Sequence, residues 1–595
     1  MSSNNAKYMP GIDGLRTLAV VAVVFYHLNF PFMPGGFLGV TLFFVLSGYL
    51  ITDLLLNEWD VKNKISLGNF WARRAKRLLP GLFTFLILLG GFITIFRPEL
   101  MGKLIPDLIP AIFYYSNWWN IFHQVSYFQS FDTAPLLNHL WSLAVEEQFY
   151  IIWPLLLLIG LKIFRNHKRI LVGVILLGAL ISAGAMSVLY VAADPSRSYF
   201  GTDTRIFSLL IGAATAFILP SIRLQSIKLA GARLIAMNIV GIIGITAFLV
   251  FAIFSNQYGD FLYKGGMLLF SFFCVLLIIS AVNRATLISK FFGIPPLSYI
   301  GKFSYEIYLF QFPVIVLTSP EVNTNGINLG LSFLQIALTL LLAWLVYFFV
   351  TNPIRYGKVK KNHPIGSSIK YGAIIVFAII TIFGVVNARP AETDSLAQIS
   401  EKKPKKHATK TPKPKTSPNP QQKETPEPVQ LEPGVLSDKK ITVIGDSIMI
   451  NIEPYLTDSY PNMDFNDKVA FQIYNLQDKI QEIKRESNLG DIVIIELGTN
   501  GTCSKSTLID VINEIGSEHK IIFCSTRSPR GWVSDFNQKL KEVISIYPNT
   551  ILADWYSISA NHDEFFVRDG VHPTSAGSNA YKQMLQNAIQ LALQN

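Results

Sequence analysis

Up to about Val386 the chain is a succession of long apolar runs separated by short polar loops, and few folds accept such a sequence. In lipid no water is present to satisfy the peptide groups, so each run must satisfy its own hydrogen bonds, which a helix does. Eleven segments approach the ~20 residues that cross a bilayer core. They lie near 15–31, 37–56, 79–96, 147–164, 170–192, 205–220, 234–254, 265–282, 298–317, 329–351 and 370–388. Lys7 precedes the first run, but no small-residue cleavage site follows it, so that run is expected to remain as a span. After Ser437 the pattern changes to that of a water-soluble domain. The averages fit this division: of 595 residues half are hydrophobic and 15% charged, and the mean hydropathy is +0.37.

The formal charge of +11 is placed between apolar runs and in one Lys/Pro segment, without a nucleic-acid-binding module. Counted in alternate loops, one set carries 23 Lys and Arg and the other 5. The richer set includes the N-terminus and is assigned to the cytoplasm. With eleven spans, the chain beyond 388 then lies outside. Three cysteines provide neither a disulfide framework nor metal-ligand spacing, so no metal or bound cofactor is expected; whether Cys503 and Cys524 pair is left open.

Three regions follow: a membrane domain over 1–388, a linker over 389–437 and a soluble domain over 438–595. Between Lys402 and Pro428 stand eight Lys and seven Pro with almost no large apolar side chain. Such a stretch cannot bury a core, and 27 residues at about 3.1 Å each reach roughly 80 Å. It reads as a tether. From Lys439 onward strands are expected at 440–446, 491–497, 520–526 and 549–555, with a weaker one near 463–469. Amphipathic helical segments separate them, the mark of a parallel sheet covered on both faces.

Ser447 follows the first of these strands directly, in Gly445-Asp446-Ser447. The carboxyl end of a parallel strand is where such sheets hold ligands, although a serine there is also an ordinary helix N-cap. Asp569-Gly570-Val571-His572 places an acid and an imidazole three residues apart near the C-terminus, and Gly498-Thr499-Asn500 brings an amide to the same sheet edge. A base that is itself oriented by a carboxylate is what activates a hydroxyl. On these residues 438–595 resembles an SGNH (GDSL-like) hydrolase domain, an α/β/α flavodoxin-like fold. The resemblance implies Ser447 as nucleophile, His572 as base, Asp569 as its orienter and Asn500 as oxyanion donor. A glycine expected near 469–472 is replaced by Val469-Ala470-Phe471-Gln472, where the Ala470 amide would stand in. Arg527 and Arg530 are considered for gripping a glycan, Trp555 and Tyr556 for stacking on one; solvation and packing are the alternatives.

Ionisable groups inside apolar spans are costly and point to function. His27 lies in the first run, eleven residues and about 16 Å of helix beyond Arg16; Glu146 and Glu147 enter the fourth. The segments Gly11–Arg16 with His27, Phe44–Ile51, Arg73–Pro80 and Trp141–Tyr150 together resemble the acyltransferase family 3 membrane domain, over about 8–355, with 370–388 as an extra span. Phe310-Gln311-Phe312-Pro313 departs from it, because many members carry histidine where Gln311 stands. The resemblance implies an acyl group taken from a cytoplasmic thioester, acetyl-CoA, and presented outside. His27 with Glu146 or Glu147 would serve as relay. Arg16, Arg73, Arg74 and Arg77 would bind the donor, with topology as the alternative role for the loop arginines. The two modules together resemble bacterial peptidoglycan O-acetyltransferases. This implies acetyl transfer through Ser447 to the C6 hydroxyl of N-acetylmuramic acid, with membrane lipid, donor and wall glycan as partners. Acylation of another surface glycan, an extracytoplasmic esterase and a non-catalytic glycan-binding transporter or receptor are the competing readings.

Overall fold

The computed structural model describes residues 8–123, 135–190, 195–319, 328–356, 364–388 and 439–594, apart from 256, 258, 458, 469–470, 487–488, 529–531 and 568–569. The linker at 389–437 lies outside these residues.

The principal helices of the first region are α1 (Pro10–His27), α2 (Gly39–Lys62), α3 (Leu67–Phe96), α4 (Trp141–Ile163), α5 (Lys168–Val188) and α6 (Thr202–Ile218). They continue as α7 (Gly231–Phe254), α8 (Met267–Val282), α9 (Pro295–Lys302), α10 (Ser304–Thr318), α11 (Leu329–Val346) and α12 (Pro364–Val386). Each expected span contains a helix among its described residues, but the count of eleven is not confirmed. Among the described residues seven helices are long and apolar enough to cross a membrane, or eight if α9 and α10, bent by 72°, form one broken span. The shortfall has a physical reason. α6 is only 17 residues long and is buried from Thr204 to Ala216 almost without interruption, a short inner helix below the ~20 residues that cross a bilayer core. By contrast α7 buries only Gly241, Gly244, Phe248 and Ala252 and is apolar nearly all round.

Small residues allow the inner helices to touch backbone to backbone, which drives association where water is absent. A Cβ on Gly48 of α2 would lie 1.9 Å from the Leu209 carbonyl of α6, and one on Gly212 of α6 would lie 2.1 Å from that of Val45. Likewise α1 is wedged in place, with Gly14 against the Phe292 carbonyl and Gly301 against that of Asp13. Pro80, Pro154 and Pro313 lie inside α3, α4 and α10.

The last region is an alternating unit: β1 (Ile441–Gly445), α13 (Ser447–Leu456), β2 (Met463–Asp467), α14 (Leu476–Glu486), β3 (Ile492–Glu496), α15 (Lys505–Ile515), β4 (Lys520–Cys524), α16 (Val533–Ile544), β5 (Thr550–Ala553) and α17 (Ser575–Gln594). The strands form one sheet in the order β2-β1-β3-β4-β5, all neighbours parallel. β1 and β3 are buried along their whole length, as sheets clad by helices on both faces require. The order reverses at β1, so the crevice beyond its carboxyl end is where this topology opens a ligand site.

Candidate functional sites at the sheet edge and in the helix bundle

Ser447 opens α13 directly after β1. Its Oγ lies 2.9 Å from His572 Nε2. The N-cap role belongs instead to Asp446, whose Oδ1 accepts the Ile448 N–H at 2.9 Å. That leaves the serine hydroxyl free of capping duty. The loop carrying His572 is held back on itself. The Val567 N–H donates to the His572 carbonyl at 2.9 Å, and Gly570 takes φ +67°, in the left-handed region. Asp569, Ala470 and Arg530 lie outside the described residues.

Asn500 reaches the same edge and is almost wholly buried. Its Nδ2 donates to Asp446 Oδ2 at 2.8 Å, with the Phe471 carbonyl at 3.5 Å. The amide is therefore anchored to the residue that precedes Ser447. Gly498 turns the chain into this position with φ +118°; a Cβ there would meet Phe536 at 2.4 Å and Thr526 Oγ1 at 2.5 Å.

For two residues of this domain the structure favours packing, one of the alternatives weighed above. Arg527 is 8% exposed and lies over the Tyr556 ring at 3.9 Å. Its Nε donates to Ser559 Oγ at 3.2 Å and its Nη2 to the Tyr556 carbonyl. The guanidinium shapes its own loop instead of standing free to grip a glycan. Trp555 is buried against Phe565, Phe566 and Tyr581, which is packing, while Tyr556 remains partly exposed. Cys503 and Cys524 are both free and buried, which settles the pairing left open above. Burial pushes the Cys503 thiol up to about 12.

In the helix bundle, Arg16, Arg74, Arg77, Ser47, Glu146 and Tyr150 line one pocket. Glu146 accepts hydrogen bonds from Ser47 Oγ and the Tyr150 hydroxyl, and that hydroxyl lies 3.0 Å from Ser47 Oγ. The Arg74 guanidinium sits over the Tyr150 ring at 5.3 Å. Three arginines around one opening are suited to a multiply charged anion. Glu147 lies beside Arg74 and Arg77 and feels both charges, but it does not line the pocket. Arg73 is outside it, with its side chain 55% exposed and 4.0 Å from Glu58.

His27 ends α1. Its Nδ1 meets Gln311 Oε1 at 2.7 Å, and its ring packs on Phe312 at 5.0 Å. A second histidine, which the sequence motifs do not single out, shares Phe312 with it. His139 is fully buried, packs on Phe312 at 5.3 Å, and places Nε2 3.1 Å from the Leu309 carbonyl. Its carbonyl accepts the Tyr308 hydroxyl at 3.0 Å, which also meets Ser142 Oγ at 2.7 Å, and both of these line the pocket. His139 precedes the matched Trp141–Tyr150 segment by two residues, and that proximity was the available signal. Ser47 and Tyr150 stood inside quoted segments without a role.

The fold defines a multi-pass membrane protein joined to an α/β domain with a parallel five-stranded sheet. Residues 9–351 match the acyltransferase domain family, and the chain belongs to that family. It is 40% identical to the peptidoglycan O-acetyltransferase OatA of Listeria monocytogenes, over 98% of each chain. It is 37% identical to the O-acetyltransferase OatA of Staphylococcus aureus, over 98% of this chain and 96% of that one. To the putative peptidoglycan O-acetyltransferase YrhL of Bacillus subtilis it is 35% identical, over 98% of each. Among solved structures, the C-terminal catalytic domain of Streptococcus pneumoniae OatA with a methylsulfonyl adduct aligns with 20% identity and a TM-score of 0.25, covering 26% of this chain and 93% of that one.

Proposed function

We propose that the protein O-acetylates peptidoglycan at the outer face of the membrane, using acetyl groups taken from cytoplasmic acetyl-CoA, with the C6 hydroxyl of N-acetylmuramic acid as acceptor. The observation that carries the chemistry is the 2.9 Å approach of Ser447 Oγ to His572 Nε2 at the carboxyl edge of the sheet. The substrate follows from what the near-full-length relatives are named for.

In this reading the donor docks with its phosphates among Arg16, Arg74 and Arg77, with Glu146 and Ser47 at the same opening. The N-terminus is cytoplasmic and the α/β domain extracytoplasmic, as the loop charges imply. His27 serves the passage of the acyl group across the bundle. Outside, His572 takes the proton of Ser447 as Oγ attacks the delivered acyl carbon. The Ser447 O–acyl bond forms, the carrier bond breaks, and His572 returns the proton to the leaving group. Asp569 orients the imidazole and stabilises its cationic form. Asn500 and the Ala470 amide stabilise the oxyanion. A glycan hydroxyl, deprotonated by His572, then attacks the acyl-serine and regenerates the enzyme.

The test is to compare wall-glycan acetylation in cells carrying the intact gene, no gene, and the Ser447→Ala gene. Acetylation should be present only with the first. Parallel measurement of donor hydrolysis separates transferase from esterase: an esterase would release acetate without forming acetylated glycan.

A further inference from the structure

Behind Ser447 lies a buried carboxyl pair that the reaction as derived does not use. Asp446 is fully buried and Glu496 is 2% exposed. Their strands are register partners, since Gly445 of β1 faces Glu496 of β3, so the two acids meet under the first turn of α13. Glu496 Oε2 lies 3.3 Å from the Asp446 N–H, and the same carboxyl accepts the Met449 N–H and hydrogen-bonds the Asp446 carboxyl. Asp446 in turn holds the Ile448 N–H and the Asn500 amide.

Two carboxylates in contact and out of water cannot both remain charged at modest cost. Burial pushes the Asp446 carboxyl up to about 6, and burial with the Asp446 charge pushes Glu496 well above the usual carboxylate range. The titratable groups facing the pair are His572 from the closing loop, Cys524 on β4 and Tyr581 on α17. A carboxylic acid presents both a donor and an acceptor. It can donate to Asp446 through its hydroxyl while its carbonyl oxygen accepts backbone N–H groups; an ionised Glu496 keeps only the second function.

We propose that Glu496 is a positioning residue that works in its protonated form. By sharing one proton with Asp446 it fixes the turn presenting Ser447 and, through Asp446 Oδ2, the amide of Asn500. This inference rests on the serine mechanism above. When the shared proton is lost the two carboxylates repel, and the displacement falls on the backbone of residues 446–449.

The test uses the full-length protein in detergent and p-nitrophenyl acetate, following kcat/KM against pH. Glu496→Gln keeps a donor and an acceptor in the same shape without a titrating proton. It should match the wild type to within a few-fold at neutral pH and lack the fall that the wild type shows as the pair ionises on the alkaline side. Glu496→Leu, which can neither donate nor accept, should lose about 10²-fold, the scale of a misplaced reacting group. Superposable alkaline limbs in wild type and Glu496→Gln would overturn the proposal, as would a Glu496→Gln enzyme as inactive as Glu496→Leu. Ser447→Ala keeps the two failures apart: if it turns over the ester at the wild-type rate, the serine mechanism itself has failed.

Discussion

A serine hydroxyl is a poor nucleophile near neutral pH, so what Ser447 can do depends on the imidazole 2.9 Å from it. In the proposed mechanism the two act as one unit, so Ser447→Ala and His572→Ala should each cost several orders of magnitude in ester turnover, and the double variant little more. The full-length protein mixed with an activated acetyl ester, quenched early and digested should show an acetyl adduct on the Ser447 peptide, absent in Ser447→Ala. Unchanged turnover in that variant would refute the assignment. Asn500→Ala should lose about 10²–10³-fold, the scale of one oxyanion donor. At this scale the sequence was legible where motifs are local: Ser447 in Gly445-Asp446-Ser447 and His572 each stand in a short motif, and the structure brings the two within 2.9 Å. It was not legible where partners meet across strands or helices. Glu496 reads as the end of an ordinary strand until the register with β1 is known. Arg527 reads as a free loop cation until burial ties it to Tyr556 and Ser559.

Helices and strands were read with different success for one reason. Strand positions follow from short, near-continuous apolar runs bounded by turn residues, and β1 to β5 fall inside the segments expected for them. Span counts require knowing what each helix faces, and α1 and α6 face protein. The crossing of α2 and α6 gives a direct test. Gly48→Val would drive a side chain into the Leu209 backbone, which no rotamer relieves, and should destabilise the bundle by about 3 kcal/mol; detergent-solubilised protein should melt earlier. In the α/β unit, the folded-state pKa of Glu496 is raised above its unfolded value of about 4.3. Folded protein therefore binds more protons above that pH, and the contribution present below it is lost as pH rises through the folded value. Urea midpoints, followed by hydrogen exchange of β3 peptides, should fall with rising pH in wild type and fall less in Glu496→Gln.

In the proposed route the two centres act in series over the whole molecule, so a variant should break one while sparing the other. His27→Ala should abolish glycan acetylation in cells, yet the same full-length protein should still turn over an activated ester, which needs no delivery through the bundle. Full acetylation in that strain would remove His27 from the pathway. Topology is tested by membrane-impermeant thiol reagents: a cysteine placed at Ser417 should be labelled from outside, and one placed at Asn63 should not. Reversed labelling would remove the basis for transfer across the membrane. The division into lipid-solvated and water-solvated halves was legible from hydropathy alone. The pocket that unites Arg16, Arg74 and Arg77 with Glu146 was not, because it assembles from helices far apart in the chain.

Those labelling experiments are helped by the native thiols themselves. Cys274, Cys503 and Cys524 are all free and all buried, and burial raises the two in the α/β domain away from the thiolate form that reacts. The wild-type chain should thus be silent to a water-borne maleimide for as long as it is folded. It needs no cysteine-free parent as a background. Any native signal that did emerge would report unfolding, so the protein carries its own blank and its own alarm.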